Sequence, residues 1–245
     1  MFSETGEYRK SNQDAVLAVY TDYAGVFAVA DGMGGHYRGE MASQKAVSLL
    51  ENWWDDIRDC MHSMMFLDLV LDLEKRIREI NESVYRMYQE IGQYGGTTLC
   101  VLMICGDAYA VLNVGDSRLY RCQKRNCEQM TMDDVWENQY QVRQMMRRED
   151  LRNNPSYGRL VQAVGTGHNV GISVRTGCME KKACFFLCSD GVHKYCDESW
   201  LFSKMKRIRR EKNVDVFAEN VKETVYRNGA RDNLSLIIVL VDRGG

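Results

Sequence analysis

Three of the short apolar runs in this chain lead into an aspartate, directly or through one residue, and that pattern limits what the chain can build. Runs rich in β-branched and apolar residues occupy positions 15–20, 26–30, 97–104, 108–114, 183–188 and 234–241. Their lengths, and the Gly or Asp bounding them, predict strands buried on one or both faces. The second run ends at Asp31 and Gly32. The fourth passes through Gly115 to Asp116, and the fifth through Ser189 to Asp190 and Gly191, while Asp232 lies just before the last. A lone Asp-Gly after a strand is ordinarily a turn. Repeated at several strand ends, it places carboxylates on a rigid scaffold where they can face a ligand. Carboxylates converging at one edge repel unless protonated or offset by cations. Oxygen-rich clusters of this kind suit hard ions such as Mg²⁺ or Mn²⁺.

Between these runs lie helical patterns. Residues 40–54 place Ala42, Ala46, Leu49, Leu50 and Trp53 on one side. A more regular stripe follows, with Phe66, Val70, Leu73, Ile77, Ile80, Val84, Met87 and Ile91 spaced by alternating fours and threes. Ser63 is the expected N-cap of that helix and Gly92 its stop. A coiled-coil dimer and packing inside the domain both fit the stripe; the flanking strands already offer a surface to cover and favour the second. Val214, Phe217, Ala218, Val221 and Val225 mark a further helix ending before Gly229. Hairpin-like neighbours, as around Gly106 and Asp107, predict a mixed, layered α/β sandwich rather than a strictly alternating doubly wound sheet.

Composition narrows the function classes. The 245 residues contain one proline, Pro155, and no linker-like tract, so one continuous domain is expected. A net charge of −2 argues against a protein held on nucleic acid or anionic lipid. The most lipid-like stretch, 64–73, is interrupted by Asp68 and Asp72, and no signal-like start is evident. A soluble cytoplasmic protein is expected. None of the nine cysteines forms a C-x-x-C pair, and several lie in apolar runs, which predicts reduced thiols. No cysteine has an arginine six positions later, and G-x-x-x-x-G-K-[ST], H-E-x-x-H and G-x-S-x-G are absent. Carboxylate-based metal chemistry survives this elimination. The basic stretch Lys204, Lys206, Arg207, Arg209 and Arg210 reads as a solvated helix face.

At these positions the sequence resembles the metal-dependent serine/threonine phosphatases of the protein phosphatase 2C family, particularly small bacterial members. The matching blocks run in family order: 9–15 (RKSNQDA), 29–36 (VADGMGGH) with Gly39, Glu40, Ala42 and Ser43, 96–98 (GTT), 113–118 (NVGDSR), 160–165 (LVQAVG), 188–191 (CSDG) and 229–233 (GARDN). Gln13 stands where many members carry Glu, and Met33 where eukaryotic relatives carry His.

The resemblance implies an α+β fold, a four-layer α/β-β/α sandwich whose central antiparallel β-sandwich is flanked by helices. It implies two Mn²⁺ or Mg²⁺ ions per chain and a weak third. Asp31 would bridge the pair, with the Gly32 carbonyl on one ion and Asp190 and Asp232 on the other. Asp116, with Asp190, would hold the third. Asp14 would order metal-held water, Arg9 would grip the phosphate, and the general acid would be His36 or water. The implied function is hydrolysis of phospho-Ser/Thr in phosphoproteins, opposing a cognate Ser/Thr kinase, by a monomer with no nucleic-acid or membrane partner. A phosphatase of a partner-switching module and a non-catalytic metal-binding module remain the alternatives. Residues 131–157 are expected to form a mobile flap.

Overall fold

The structure, a computed structural model, describes residues 1–34, 38–124 and 126–242. Strands β1 (Phe2–Glu4), β2 (Asp14–Tyr20) and β3 (Ala24–Met33) precede helices α1 (Arg38–Ile57) and α2 (Phe66–Glu90). Strands β4 (Gly96–Thr97), β5 (Leu99–Cys105), β6 (Ala108–Val114), β7 (Arg118–Gln123) and β8 (Asn126–Gln129) follow. After the short helices α3 (Tyr140–Met145) and α4 (Arg148–Arg152) come β9 (Ser173–Cys178), β10 (Lys182–Cys188) and α5 (Asp190–His193). Helices α6 (Glu198–Glu211) and α7 (Val214–Arg227) lead into β11 (Leu234–Asp242).

The strands form two antiparallel sheets, ordered β1-β11-β10-β7-β8 and β2-β3-β5-β6-β9, with β4 paired to β3. Period-two alternation in β3 makes the sandwich possible. Phe27 and Val29 point between the sheets, where they join Leu102, Val111, Leu119, Phe185, Leu187 and Ile237. Val26, Ala28 and Ala30 point the other way, under Ala42, Ala46, Leu50 and Trp53 of α1 and Leu73, Ile77, Ile80 and Val84 of α2. On the opposite outer face, Leu201, Met205 and Ile208 of α6 and Phe217, Val221 and Val225 of α7 cover Tyr120, Phe186 and Leu236. The result is the expected four-layer sandwich, with the α2 stripe from Val70 to Val84 buried inside its own fold and Ile91, past the helix end, exposed. Trimming a side chain such as Leu73 to Ala in such a layer costs about 2–5 kcal/mol.

Three local expectations differ from the structure. Ser63 does not cap α2. It lies in a 3₁₀ turn (Met61–Ser63), its hydroxyl donates to the Cys60 carbonyl at 2.7 Å, and Met65 precedes the helix without a side-chain cap. Gly92, at φ +62°, does follow the helix end. Cys122 and Cys127 are not free: the β7–β8 register sets them opposite each other with Cα atoms 4.1 Å apart, close enough for the disulfide they form. Strands β1, β7, β8 and β9 add to the six runs read from sequence. Among the described residues no helix is long and apolar enough to cross a membrane.

Candidate metal centre

Antiparallel pairing brings the aspartate-bearing strand ends to one edge of the sandwich. Asp14 opens β2 and pairs in register with Asp31 near the end of β3. Asp116 follows β6 through Gly115, whose φ of +101° turns the chain sharply. Asp190 follows β10, and Asp232 immediately precedes β11, the partner of β10. Hydrogen bonds stitch this edge across the two sheets. Ser189 Oγ donates to Asp14 Oδ2 at 2.8 Å, and the Gln13 amide donates to Asn233 Oδ1 at 2.9 Å. Asn233 Nδ2 in turn donates to the carbonyls of Thr5 and Ser11. Thr98 Oγ1 accepts from the Asp31 amide at 2.9 Å and shares a 2.7 Å hydrogen bond with Ser117.

Backbone packing leaves no room for larger residues at this edge. A Cβ on Gly191 would lie 1.8 Å from the Asn233 carbonyl, and one on Gly32 would lie 2.1 Å from the Gly39 carbonyl. The Gly32 amide donates to the Gln13 carbonyl at 3.0 Å, and the Ser43 hydroxyl of α1 donates to the same carbonyl at 2.6 Å. Gly32 is thereby clamped between β2 and α1.

The electrostatics show strong crowding of negative charge. Burial, then the charges of Asp14 and Asp190, a hydrogen bond with Asp190 and the charge of Asp116 hold the Asp31 carboxyl well above the usual range. Burial raises Asp14 to about 7, with Asp190 and Asp232 adding to the shift against hydrogen bonds from Ser235 and Ser189. Burial and Asp190 raise Asp116 to about 6, with Lys194 opposing. Asp190 alone moves down: burial pushes it up, but the Lys194 ammonium and the hydrogen bonds from Lys194 and Asp31 outweigh that. Arg9 Nη2 donates to Asp232 Oδ2 at 2.7 Å.

These residues fit divalent cations. The donors are hard oxygens, their charges disfavour one another, and Asp14 Oδ1 is buried without a hydrogen-bond partner among the described residues. As they stand, no three carboxylate, imidazole or thiol groups among the described residues are gathered to hold one ion; Arg9 and Lys194 engage Asp232 and Asp190. The structure therefore brings Arg9, Asp14, Asp31, Gly32, Asp116, Asp190 and Asp232 to one edge. His36 lies outside the described residues.

Several participants carried no distinct sequence signal. Ser189 anchors Asp14, and Asp133 holds the Arg118 guanidinium through contacts of 2.7–3.1 Å. Asp134 accepts the Gly115 amide at 2.8 Å. His193 and Lys194 both reach the Asp116 turn. Only the four-residue step from Asp190 to Lys194, at the start of a helix, could have pointed to that pair.

Comparison with known proteins bears on the family and the fold. Residues 8–236 match the sequence profile of the protein phosphatase 2C family. The chain is 30% identical over 242 residues to the serine/threonine phosphatase stp of Listeria monocytogenes serotype 4b, covering 97% of this chain and 93% of that one. It superposes with a TM-score of 0.79 and 25% identity on the catalytic domain of the serine/threonine protein phosphatase PstP in complex with two manganese ions, covering 98% and 96% of the two chains. A bacterial serine phosphatase, at 23% identity, TM-score 0.85 and coverage of 100% and 97%, shares the fold.

Proposed function

The chain belongs to the protein phosphatase 2C family, and from that membership we propose that it is a metal-dependent phosphatase removing phosphate from Ser and Thr of proteins, against a serine/threonine kinase. One observation carries the reading: five aspartates share one sandwich edge, and the buried Oδ1 of Asp14 has no hydrogen-bond partner among the described residues. Asp31, the Gly32 carbonyl, Asp190 and Asp232 would hold two Mn²⁺ or Mg²⁺ ions. When bound, such a pair offsets phosphate charge and makes a water nucleophilic at neutral pH.

The chain's own groups then supply position and hydrogen bonds. Asp14, fixed through Oδ2 by Ser189, presents Oδ1 as an acceptor that orients the attacking water. Arg9 is half-exposed and holds Asp232 through one nitrogen, so its planar fork can turn to take two phosphate oxygens. Thr98 and Ser117 brace the backbone at Asp31, and the Gly191–Asn233 contact keeps Asp190 beside Asp232. No cysteine takes part: Cys100 and Cys188 are buried, and burial pushes both thiols up.

The segment 131–157 is read as a flap over the substrate. Asp133 and Asp134 tie its base to Arg118 and Gly115, while Tyr140 and Met145 further along are exposed. The net charge of −2 argues against nucleic acid or anionic membranes as partners, and the chain is read as a monomer acting on phosphoproteins in the cytoplasm.

The test is phosphate release from a phosphothreonine peptide with Mn²⁺, Mg²⁺ or chelator. Hydrolysis with either metal and none in chelator is expected. Full hydrolysis in chelator rejects the metal centre; none under any condition leaves a metal-binding module without activity.

A further inference from the structure

The carboxylates of Asp116 and Asp190 already share a cation supplied by the chain itself. Lys194 Nζ lies 2.5 Å from Asp190 Oδ2 and 3.9 Å from Asp116 Oδ2. Among the described residues no other cationic side chain is ion-paired with either carboxylate.

The placement follows from the backbone. Lys194 directly follows α5 and stands four residues after Asp190, so the two side chains share a helix face. Its amide donates to the Asp190 carbonyl at 3.1 Å. The preceding residue secures the other side: buried His193 presents Nε2 to the Asp116 carbonyl at 3.0 Å. A carbonyl only accepts, so that nitrogen carries the proton. Asp116 is held through its carbonyl by His193 and through its carboxylate by Lys194. Arg118 and Asp133 neutralise each other nearby through a two-pronged contact, leaving Lys194 as the cation ion-paired with these two carboxylates among the described residues.

We infer that the Lys194 ammonium is a resident cation at the Asp116–Asp190 pair, so that this chain takes divalent metal at two positions and closes the third. The inference rests on the metal reading given above. An ammonium is a compact point charge with three donors, suited to bridging two carboxylates. A divalent ion entering between them would have to displace it and remain beside its charge, which strongly disfavours occupancy.

The experiment counts bound Mn²⁺ by equilibrium dialysis and electron paramagnetic resonance up to millimolar metal. It uses the wild type, Lys194→Met, which keeps chain length without charge, and Lys194→Arg, which keeps the charge. Two ions are expected for the wild type and Lys194→Arg. A third is expected for Lys194→Met, bound about tenfold to a hundredfold more tightly than any residual third site in the wild type. Adding Asp116→Asn to Lys194→Met should remove it. A third ion of equal affinity in wild type and Lys194→Met overturns the inference while leaving the two-metal reading intact. Wild-type stoichiometry decides this even where a variant fails to fold, since three ions in the wild type are already incompatible with a closed site. Absence of Mn²⁺ binding in the folded wild type rejects the metal reading and the inference together.

Discussion

Asp14 and Asp31 face each other across the β2–β3 pair, which forces two carboxylates into one strand end with Asp190 hydrogen-bonded to the second. Nothing in strand packing requires that arrangement, and without divalent metal it opposes folding. Burial holds the Asp14 carboxyl at about 7 against an ordinary 3.8. Its proton is kept longer in the folded state, so stability is fully present below pH 3.8 and is lost as pH rises through about 7. In metal-free protein at pH 8, Asp14→Asn should therefore raise the melting temperature by about 5–10 °C while abolishing turnover in the loaded enzyme. Calorimetry in chelator checks the first effect.

His193 runs in the opposite direction. Burial, with the Arg118 charge adding to it, lowers this imidazole from 6.5 to about 4. The unfolded chain takes up the proton first, so stability is present above pH 6.5 and is lost as pH falls towards 4. The two slopes oppose each other between pH 4 and 6.5. His193→Gln should remove the acid-side loss, of about 2–3 kcal/mol, and leave the alkaline-side loss exposed. Urea melts of the metal-free protein from pH 4 to 8 distinguish the two.

Arg9→Ala should lower kcat/KM for a phosphopeptide about tenfold to a hundredfold, chiefly through KM, by removing a charge-assisted phosphate contact of about 1.5–3 kcal/mol. The side chain is half-exposed, and its ion pair with Asp232 contributes little to stability. Metal titration and melting should hardly change; unfolding as the main effect would make Arg9 structural.

Gly191→Ala tests the contact that holds the ends of β10 and β11 together. Its new Cβ would meet the Asn233 carbonyl at 1.8 Å, so the backbone must part between Asp190 and Asp232. A loss of about 2–4 kcal/mol is expected, with metal affinity falling in parallel. A stable variant with unchanged Mn²⁺ affinity would show that the two aspartates do not act on one site.

Thiol reagents provide a negative control. Cys60 and Cys178 are exposed, whereas Cys100, Cys105, Cys184 and Cys188 are buried. Alkylation of the native protein should label the first two and leave hydrolysis intact, as read by mass spectrometry beside an activity assay. Loss of activity with the fold preserved would count against a water-based reaction.

The carboxylate edge was legible because its residues punctuate apolar runs, and antiparallel pairing then does the converging. Asp31, Asp116, Asp190 and Asp232 could be read this way, as could the outer helices from their stripes. The missed strands had no such contrast. In β7 the adjacent pair Leu119 and Tyr120 is flanked by Arg118 and Arg121, whose charges are answered by Asp133 and Glu128 elsewhere in the fold. Edge strand β9 is largely exposed, and β1 spans three residues whose pairing is set by β11. Lys194 carries no signal of its own for a related reason: its meaning lies in the turn after β6, which comes much earlier in the chain. Ser63 looked like a helix cap, but its hydroxyl is taken by the 3₁₀ turn in front of the helix.

The pairing of β1 with β11, and the reach of Asn233 to Thr5, Ser11 and Gln13, bear on when the protein can first act. Arg9 and Asp14 leave the ribosome well before Asp232 and β11, Asp232 lying 223 residues after Arg9. The sheet β2-β3-β5-β6-β9 can form on the emerging chain, but the sheet that carries Asp190 lacks its β11 partner until β11 has emerged. A growing polypeptide therefore has no complete carboxylate edge until Asp232 and β11 have joined the strands made before them.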